Sequence, residues 1–306
     1  MSAARAPGIR TWLLAIRPAT LPASVSGVIV GIGAALADGA AFRPDTALGC
    51  MAVALLLQMA ANLANDLSDF HRGADNADRL GPTRVAASGL VSIRQLEVAI
   101  AAVLATSGIV GIWLAFLGGP AILVLGAAAI LALLGYTGGP FPYGYRGLGE
   151  VFVFIFFGLA AVVGTAVLQS GRVQTLYVVA AIPVGALTTG ILVVNNLRDT
   201  TTDRAAGKRT LAVTFGEGFA RFEYVACLVT AWIVPAGLVV GRLAGASVGS
   251  GAAVLLPFVT LPIAVPLLRI VYAEGDPRRL NPVLRGTARL TLVFALLFAA
   301  GLALGR

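Results

Sequence analysis

Two copies of a short acidic pattern stand 130 positions apart in this chain of 306 residues. The first copy is Asn65-x-x-x-Asp69, and the second is Asn195-x-x-x-Asp199-x-x-x-Asp203. Residues four positions apart lie on one face of a helix, so each copy directs an amide and carboxylates the same way. Three more carboxylates accompany the first copy: Asp66, Asp75 and Asp78. Since six of the chain's 14 acidic residues lie in these two stretches, the pattern predicts divalent-cation binding.

Basic residues follow both copies, and they suggest what the cations hold. Mg²⁺ is usually bound by one or two carboxylates together with substrate phosphates. Two facing acidic clusters suit a diphosphate, and a basic shell can neutralise its remaining charge. The candidates for this shell are Arg72, Arg79, Arg84, Arg198, Arg204, Lys208 and Arg209. The alternative interpretation is that these are loop charges paired with nearby acids.

The elements that must position these residues are predicted to be membrane-spanning helices. The chain is 58% hydrophobic and 12% charged, with a mean hydropathy of +0.91, whereas soluble domains carry about 25% charged residues. We therefore expect an all-α, polytopic bundle that forms a single domain over residues 1–306. The predicted spans are nine: 20–37, 48–65, 96–117, 121–136, 150–169, 176–197, 220–240, 252–273 and 287–305.

The distribution of basic residues predicts the orientation of these spans. Seventeen of the 22 Lys and Arg residues fall on the side of the N-terminus, and four fall on the other side. By the positive-inside rule, the N-terminus and both acidic loops are cytoplasmic, in a multi-pass protein of the cell membrane. The matched motifs also suggest an internal repeat, about 17–149 and 150–286.

Other classes of protein fit the sequence less well. The net charge of +8 has no aromatic and basic surface module beside it, so we expect no nucleic-acid partner. Cys50 and Cys227 lie in apolar segments and are interpreted as buried small side chains. A cation-coupled transporter can also use paired carboxylates, but both clusters lie at one membrane face. A scaffold protein leaves the paired motifs unexplained.

Four stretches make the chain resemble the UbiA superfamily of membrane prenyltransferases over nearly its whole length. They are RPATLPASVSGVIVG at 17–31, NDLSDFHRGADNADRLGPTRVAASGL at 65–90, YTGGPFPYGYRGLGEVFVFIFFG at 136–158 and NNLRDTTTDRAAGKRTLAV at 195–213. The third stretch and the tails of the second and fourth are similar to the branch that prenylates 1,4-dihydroxy-2-naphthoate. The first motif departs from the general pattern, because Gly73 stands where a third aspartate is expected. Asp75 is therefore a candidate for the missing ligand.

The resemblance implies Mg²⁺-dependent transfer of a polyprenyl group from its diphosphate to 1,4-dihydroxy-2-naphthoate, with loss of CO₂, giving demethylmenaquinol. It implies that Mg²⁺ is held by Asp66, Asp69, Asp199 and Asp203, with Asn65 and Asn195 assisting. It also implies that the diphosphate is gripped by Arg84, Arg204 and Lys208, and less firmly by Arg72 and Arg209. The prenyl tail would lie between helices or reach membrane lipid. Other acceptors, such as 4-hydroxybenzoate, homogentisate or haem, remain alternatives.

Three single residues have two interpretations each. Tyr136 is expected either to bind diphosphate or shield a carbocation with its ring, or else to anchor a span at the interface. Arg17 is expected either to meet the naphthoate carboxylate or to anchor the first span. His71, the only histidine, is a candidate base or a solvated loop residue.

Overall fold

The computed structural model describes residues 7–73, 80–245, 248–273 and 275–305, and within these ranges the chain is helical without a strand. The first five helices are α1 (Ile9–Ile16), α2 (Leu21–Ala37), α3 (Pro44–His71), α4 (Ile93–Gly118) and α5 (Pro120–Gly135). The later helices are α6 (Gly149–Val153), α7 (Ala161–Ser170), α8 (Thr175–Arg198), α9 (Thr200–Ala205), α10 (Leu211–Phe215), α11 (Glu217–Leu243), α12 (Leu261–Tyr272) and α13 (Leu280–Leu304). Short 3₁₀ segments cover Pro18–Thr20, Tyr143–Arg146, Ala252–Thr260 and Pro277–Arg279, and a π-helical segment, Phe154–Ala160, joins α6 to α7.

Eight helical segments within the described ranges have the length and composition needed to cross a membrane. A ninth apolar helix, α5, is shorter, as the sequence predicted for the fourth span. The predicted all-α architecture of about nine apolar helices is therefore confirmed.

Several predicted boundaries are wrong by more than a turn, and one of these errors concerns the site. The second span was expected to end at residue 65, but α3 continues to His71. The first acidic motif therefore lies on the last turns of a helix rather than in a loop. Gly73 adopts φ +64°, a left-handed conformation that commonly follows the end of a helix. The face that carries Asn65 and Asp69 thus ends before the position of a third aspartate.

The centre of the bundle is formed by α2, α8 and α13, and glycines let these helices approach one another closely. A Cβ on Gly33 of α2 would lie 2.5 Å from the Cα of Ala299 on α13. A Cβ on Gly158 would lie 2.7 Å from the Cα of Gly185 on α8. Small residues at such contacts allow helix backbones to pack tightly in membranes. This buried centre fixes α8, which carries the start of the second acidic motif.

Candidate active site

The two acidic motifs face one cavity of ≈ 630 Å³. Asn65 and Asp69 reach it from the last turns of α3, and Asn195 reaches it from the end of α8. Asp199 caps α8, and Asp203 lies on α9. The N–H of Asp203 donates to the carbonyl of Asp199 at 2.7 Å, so a helical bond links the last two motif positions. The structure brings these five residues together around one space.

Lys208 lies between the two motifs. Its Nζ is 3.7 Å from Oδ1 of Asp69 and 3.5 Å from Oδ1 of Asp203. Gly207, with φ +73°, ends α9. The N–H of Lys208 donates to the carbonyl of Asp203 and that of Gly207 to the carbonyl of Arg204, which is the Schellman pattern. The turn thus returns Lys208 to the motif that precedes it.

Asp69 has two more partners, Arg84 and Tyr145. Nη2 of the buried Arg84 lies 2.6 Å from Oδ2 of Asp69, and the Tyr145 hydroxyl donates to Oδ1 at 2.9 Å. The Tyr145 ring also lies against the ammonium group of Lys208, 4.7 Å from Nζ to the ring centroid. Burial, followed by the charge of Asp69, raises the pKa of Tyr145, so its hydroxyl stays protonated as a donor. Sequence reasoning did not single out Tyr145, although it lies in the 136–158 stretch.

Asp199 is held by Arg198, a fully buried arginine that sequence reasoning placed only in the general basic shell. Nε and Nη2 of Arg198 donate to Oδ1 and Oδ2 of Asp199 at 2.8 and 2.5 Å. The same guanidinium donates to the side-chain oxygens of Asn195 and Asn281, each at 2.9 Å. Arg198 therefore fixes both Asn195 and Asp199 of the second motif. Its position inside that motif is the sequence signal that marks it.

Asp66 does not line the cavity with Asp69. Its two carboxylate oxygens accept the backbone N–H groups of Val85 and Ala86, both at 3.1 Å, and the side chain is buried. These bonds join the end of α3 to the segment that carries Arg84. Asp66 thus positions an arginine, whereas the sequence assigned it to the metal.

Arg72, Arg204 and Arg209 do not line the cavity either. Arg72 donates from Nε and Nη2 to the carbonyls of Thr137 and Gly139, both at 2.8 Å, and so holds the turn after α5. The side chains of Arg204 and Arg209 are exposed. His71, also exposed, lies on the last turn of α3 outside the cavity lining. Three other residues that the sequence singled out, Asp75, Asp78 and Arg79, lie outside the described residues.

The electrostatics of the cavity favour an additional cation. Burial raises the pKa of Asp203 from 3.8 to about 6, although Lys208 opposes this shift. The charges of Asp199 and Asp69 add to the effect of burial. The negative charge of the neighbouring carboxylates is therefore not fully balanced by Lys208. A bound cation would lower the free energy of the ionised site.

Tyr136 and Arg17 both line the cavity. Tyr136 follows α5 and also lines a second, apolar cavity of ≈ 360 Å³ between α2, α3, α4, α5 and the 149–170 span. Gln58, Asn65 and Leu192 are shared by the two cavities in the same way. Arg17 has φ +50°, which is the left-handed backbone that non-glycine residues seldom adopt. The two cavities therefore meet beside the acidic motifs, which joins a charged space to an apolar one.

Two relatives match this chain over nearly its whole length. A 1,4-dihydroxy-2-naphthoate octaprenyltransferase of Mycobacterium tuberculosis is 39% identical over 295 residues, which cover 96% of this chain and 97% of that protein. The protein of the same name in Escherichia coli is 36% identical over 306 residues, covering 97% and 96%.

Solved structures share the fold at lower sequence identity. A UbiA homologue from Aeropyrum pernix superposes with a TM-score of 0.65 at 20% identity, covering 91% of this chain and 96% of that one. A UbiA homologue from Archaeoglobus fulgidus, bound to GPP and Mg²⁺, gives 0.63 at 15% identity, covering 95% and 99%.

The family itself follows from a match over most of the chain. The model of the UbiA prenyltransferase family matches residues 24–281, which include both acidic motifs and all the cavity-lining helices from α2 to the start of α13. With its series of apolar spans, this multi-pass membrane protein belongs to the UbiA prenyltransferase family.

Proposed function

We propose that the chain transfers a polyprenyl group from polyprenyl diphosphate to 1,4-dihydroxy-2-naphthoate in a Mg²⁺-dependent reaction. The products are diphosphate, CO₂ and demethylmenaquinol, an intermediate of menaquinone biosynthesis. The observation that carries this proposal is the likeness, over nearly the whole chain, to two 1,4-dihydroxy-2-naphthoate octaprenyltransferases. The joined charged and apolar cavities support it, because a polyprenyl diphosphate has one charged end and one apolar end.

The donor set around the cavity fits Mg²⁺. Asp69, Asp199 and Asp203 provide carboxylate oxygens, and Asn65 and Asn195 provide amide oxygens, which are the hard ligands that Mg²⁺ prefers. These carboxylates already form ion pairs with Arg84, Arg198 or Lys208. Each of them keeps lone pairs for Mg²⁺, since its two oxygens offer about four acceptor sites. Burial raises the pKa of Asp203, and an added cation would lower it. When bound, Mg²⁺ supplies positive charge to the departing diphosphate.

The chain's own residues then complete the charge balance. Lys208, Arg84 and Arg198 line the same cavity and stabilise the negative charge that grows on the diphosphate. Tyr136 lines both cavities at their junction, where its ring would stabilise the allylic cation. Arg17, which also lines the cavity, is a candidate partner for the naphthoate carboxylate.

The bond changes account for the absence of a histidine base at this site. The C–O bond of the diphosphate breaks, and a ring carbon bearing the carboxylate forms the new C–C bond. The C–CO₂ bond then breaks, and its electron pair restores the aromatic ring. No proton leaves that carbon, so the exposed position of His71 agrees with the proposed chemistry.

The tail and the membrane orientation follow from the same geometry. The apolar cavity would hold the first isoprene units, and the rest of the tail would lie between helices or in lipid. The excess of Lys and Arg on the motif side supports a cytoplasmic site in the cell membrane.

An acceptor panel tests the proposal. Purified protein with Mg²⁺, octaprenyl diphosphate and dihydroxynaphthoate is expected to release diphosphate and CO₂ and to form the prenylated naphthoquinol, detected by mass spectrometry. Asp203→Asn is expected to lose turnover by about 100-fold or more, since a carboxylate that would hold Mg²⁺ at the diphosphate is removed. Asp45→Asn, an exposed acid at the opposite end of α3, is the matched control and should keep full activity. Turnover of 4-hydroxybenzoate or homogentisate instead would assign a different acceptor.

A further inference from the structure

A buried carboxylate, Glu150, lies directly behind the wall of the active-site cavity. It begins the 149–170 span and is 5% exposed. Oε1 of Glu150 accepts a hydrogen bond from Nδ2 of Asn196 at 2.7 Å, while Oε2 is buried without a hydrogen-bond partner. No lysine or arginine within the described residues forms an ion pair with it. A buried carboxylate is costly to keep, so its one side-chain bond calls for an explanation.

The partner of Glu150 is a residue of the cavity itself. Asn196 lines the cavity, next to Asn195 of the second motif. An amide has its two donors on nitrogen and its acceptor on oxygen. With Nδ2 held by Glu150, the carbonyl oxygen of Asn196 is the atom left to accept a hydrogen bond from a ligand.

A second polar group stands two turns earlier on the same face of α8. Thr188 also lines the cavity, and its hydroxyl is buried without a hydrogen-bond partner. Between Thr188 and Asn196 lies Leu192, which is shared by the charged and the apolar cavities. Across from this face, Val153 and Phe157 provide apolar walls at the same junction. The junction thus combines flat apolar surfaces with two polar groups that have capacity for a ligand.

The chemistry of the proposed reaction places the acceptor ring at this junction. The diphosphate must lie near Lys208 and the acidic motifs, and the tail must lie in the apolar cavity. The carbon that joins them is then at the shared wall, and the acceptor ring must reach that carbon. An aromatic diol carries hydroxyl donors that the carbonyl oxygen of Asn196 can accept.

We propose that Glu150 is a positioning residue that fixes the amide of Asn196, so that Asn196 accepts a hydrogen bond from a ring hydroxyl of the aromatic acceptor. This inference rests on the proposed prenyl transfer and names the residues that recognise the acceptor. Tyr136 lies close to the residue before Glu150, since a Cβ on Gly149 would be 3.5 Å from the Tyr136 hydroxyl. The subsite therefore spans the start of the 149–170 span, the end of α5 and α8.

Steady-state kinetics with two variants test the positioning role. Glu150→Leu removes the partner of Asn196, and the KM for dihydroxynaphthoate is expected to rise about three- to tenfold while the KM for octaprenyl diphosphate stays unchanged. Glu150→Gln is expected to restore wild-type behaviour to within about twofold, since its amide oxygen can accept the same bond. Glu223→Leu is the matched control, because it removes a neighbouring acid on α11 that lies outside the cavity lining. Both KM values should stay at the wild-type level in that control.

Acceptors that lack one hydroxyl test the recognition directly. Two analogues, 1-hydroxy-2-naphthoate and 4-hydroxy-2-naphthoate, each lack one ring hydroxyl. Wild-type protein should have a lower kcat/KM for the analogue that lacks the hydroxyl bonded to Asn196. Asn196→Leu should lose that discrimination, and adding Glu150→Leu should have little further effect, because both changes remove one interaction. The Asn196 variant keeps the test open if the Glu150 variants do not fold.

The outcomes separate this inference from the proposed function. If wild-type protein does not prenylate dihydroxynaphthoate, the proposed function fails. If it does, but Glu150→Leu and Asn196→Leu change neither the acceptor KM nor the discrimination, the acceptor subsite is wrong. Equal increases in the KM values of both substrates would likewise overturn it, since they indicate general loosening of the site.

Discussion

Asp66 and Asp69 lie one helical turn apart, yet the structure uses them differently. Both oxygens of Asp66 accept backbone N–H groups, whereas Asp69 meets Arg84, Tyr145 and Lys208 at the cavity. The sequence predicts carboxylates at both positions but does not reveal which backbone segment returns to them. That assignment depends on contacts with residues 84–86, about 20 positions later in the chain.

A pair of matched substitutions separates these two uses. Asp66→Asn keeps one acceptor oxygen and turns an NH₂ group toward a backbone donor, so we expect a loss of about 1–3 kcal/mol of stability. Asp69→Asn removes a carboxylate that is proposed to hold Mg²⁺ at the diphosphate, so turnover per folded protein should fall by about 100-fold or more. Thermal unfolding in detergent and the prenyl-transfer assay measure the two effects. Wild-type turnover in Asp69→Asn, or an equally large loss of turnover in folded Asp66→Asn, would contradict the division.

Tyr145 is expected to act through two separable contacts. Tyr145→Phe loses the hydrogen bond to Asp69 but keeps the ring beside Lys208, so kcat/KM should fall about three- to tenfold. Tyr145→Leu loses both contacts and should fall further. The assay is run at several Mg²⁺ concentrations, because Tyr145 contacts a proposed Mg²⁺ ligand. If the phenylalanine variant is as impaired as the leucine variant, the ring contributes nothing.

At the scale of elements, the sequence predicted which residues share a helix face better than it predicted where the helices end. The i, i+4 pattern identified residues that do face one cavity, because helix geometry fixes that relation locally. The ends of α3 and α13 were misplaced, because polar residues near a membrane face extend a helix without adding to an apolar run. Gly73 and Gly207 mark the two ends that matter, since both adopt positive φ. A glycine after each motif was therefore the available signal.

Helices α4 and α5 are expected to set the length of the prenyl chain. Gly126 on α5 lines the apolar cavity, and a Cβ there would meet nothing within 4 Å. Gly126→Phe should therefore fill the cavity without disturbing the packing of the helices. We expect kcat/KM for octaprenyl diphosphate, relative to that for a short allylic diphosphate, to fall by about tenfold or more.

Gly108→Phe on α4 is the matched control for this prediction. Gly108 also has open space for a Cβ but does not line the cavity. The ratio of long-chain to short-chain kcat/KM should stay at the wild-type value in the control. A wild-type ratio in Gly126→Phe as well would place the tail elsewhere.

For the whole molecule, the contacts that complete the site join parts of the chain that are distant in sequence. Tyr145 meets Asp69 across 76 positions, and Asn196 meets Glu150 across 46. Apolar composition and charge distribution predicted the helical class and the meeting of the two motifs. They did not predict these pairs, because the packing of α2, α8 and α13 at the centre decides which side chains meet. The internal repeat stays a prediction.

Ligand binding is expected to stabilise the whole bundle, because the proposed ligands come from both motifs. Mg²⁺ and inorganic diphosphate together would connect Asp69 on α3 with Asp199 and Asp203 after α8. At ligand concentrations about 100-fold above Kd, the free energy of unfolding should rise by about 2.7 kcal/mol. Either component alone should give less, since each leaves the charge of the other group uncompensated. Thermal unfolding in detergent, with Asp203→Asn as the comparison, measures this coupling. An equal shift in that variant would mean that diphosphate binds without the second motif, and the bridging role of the cavity would be lost.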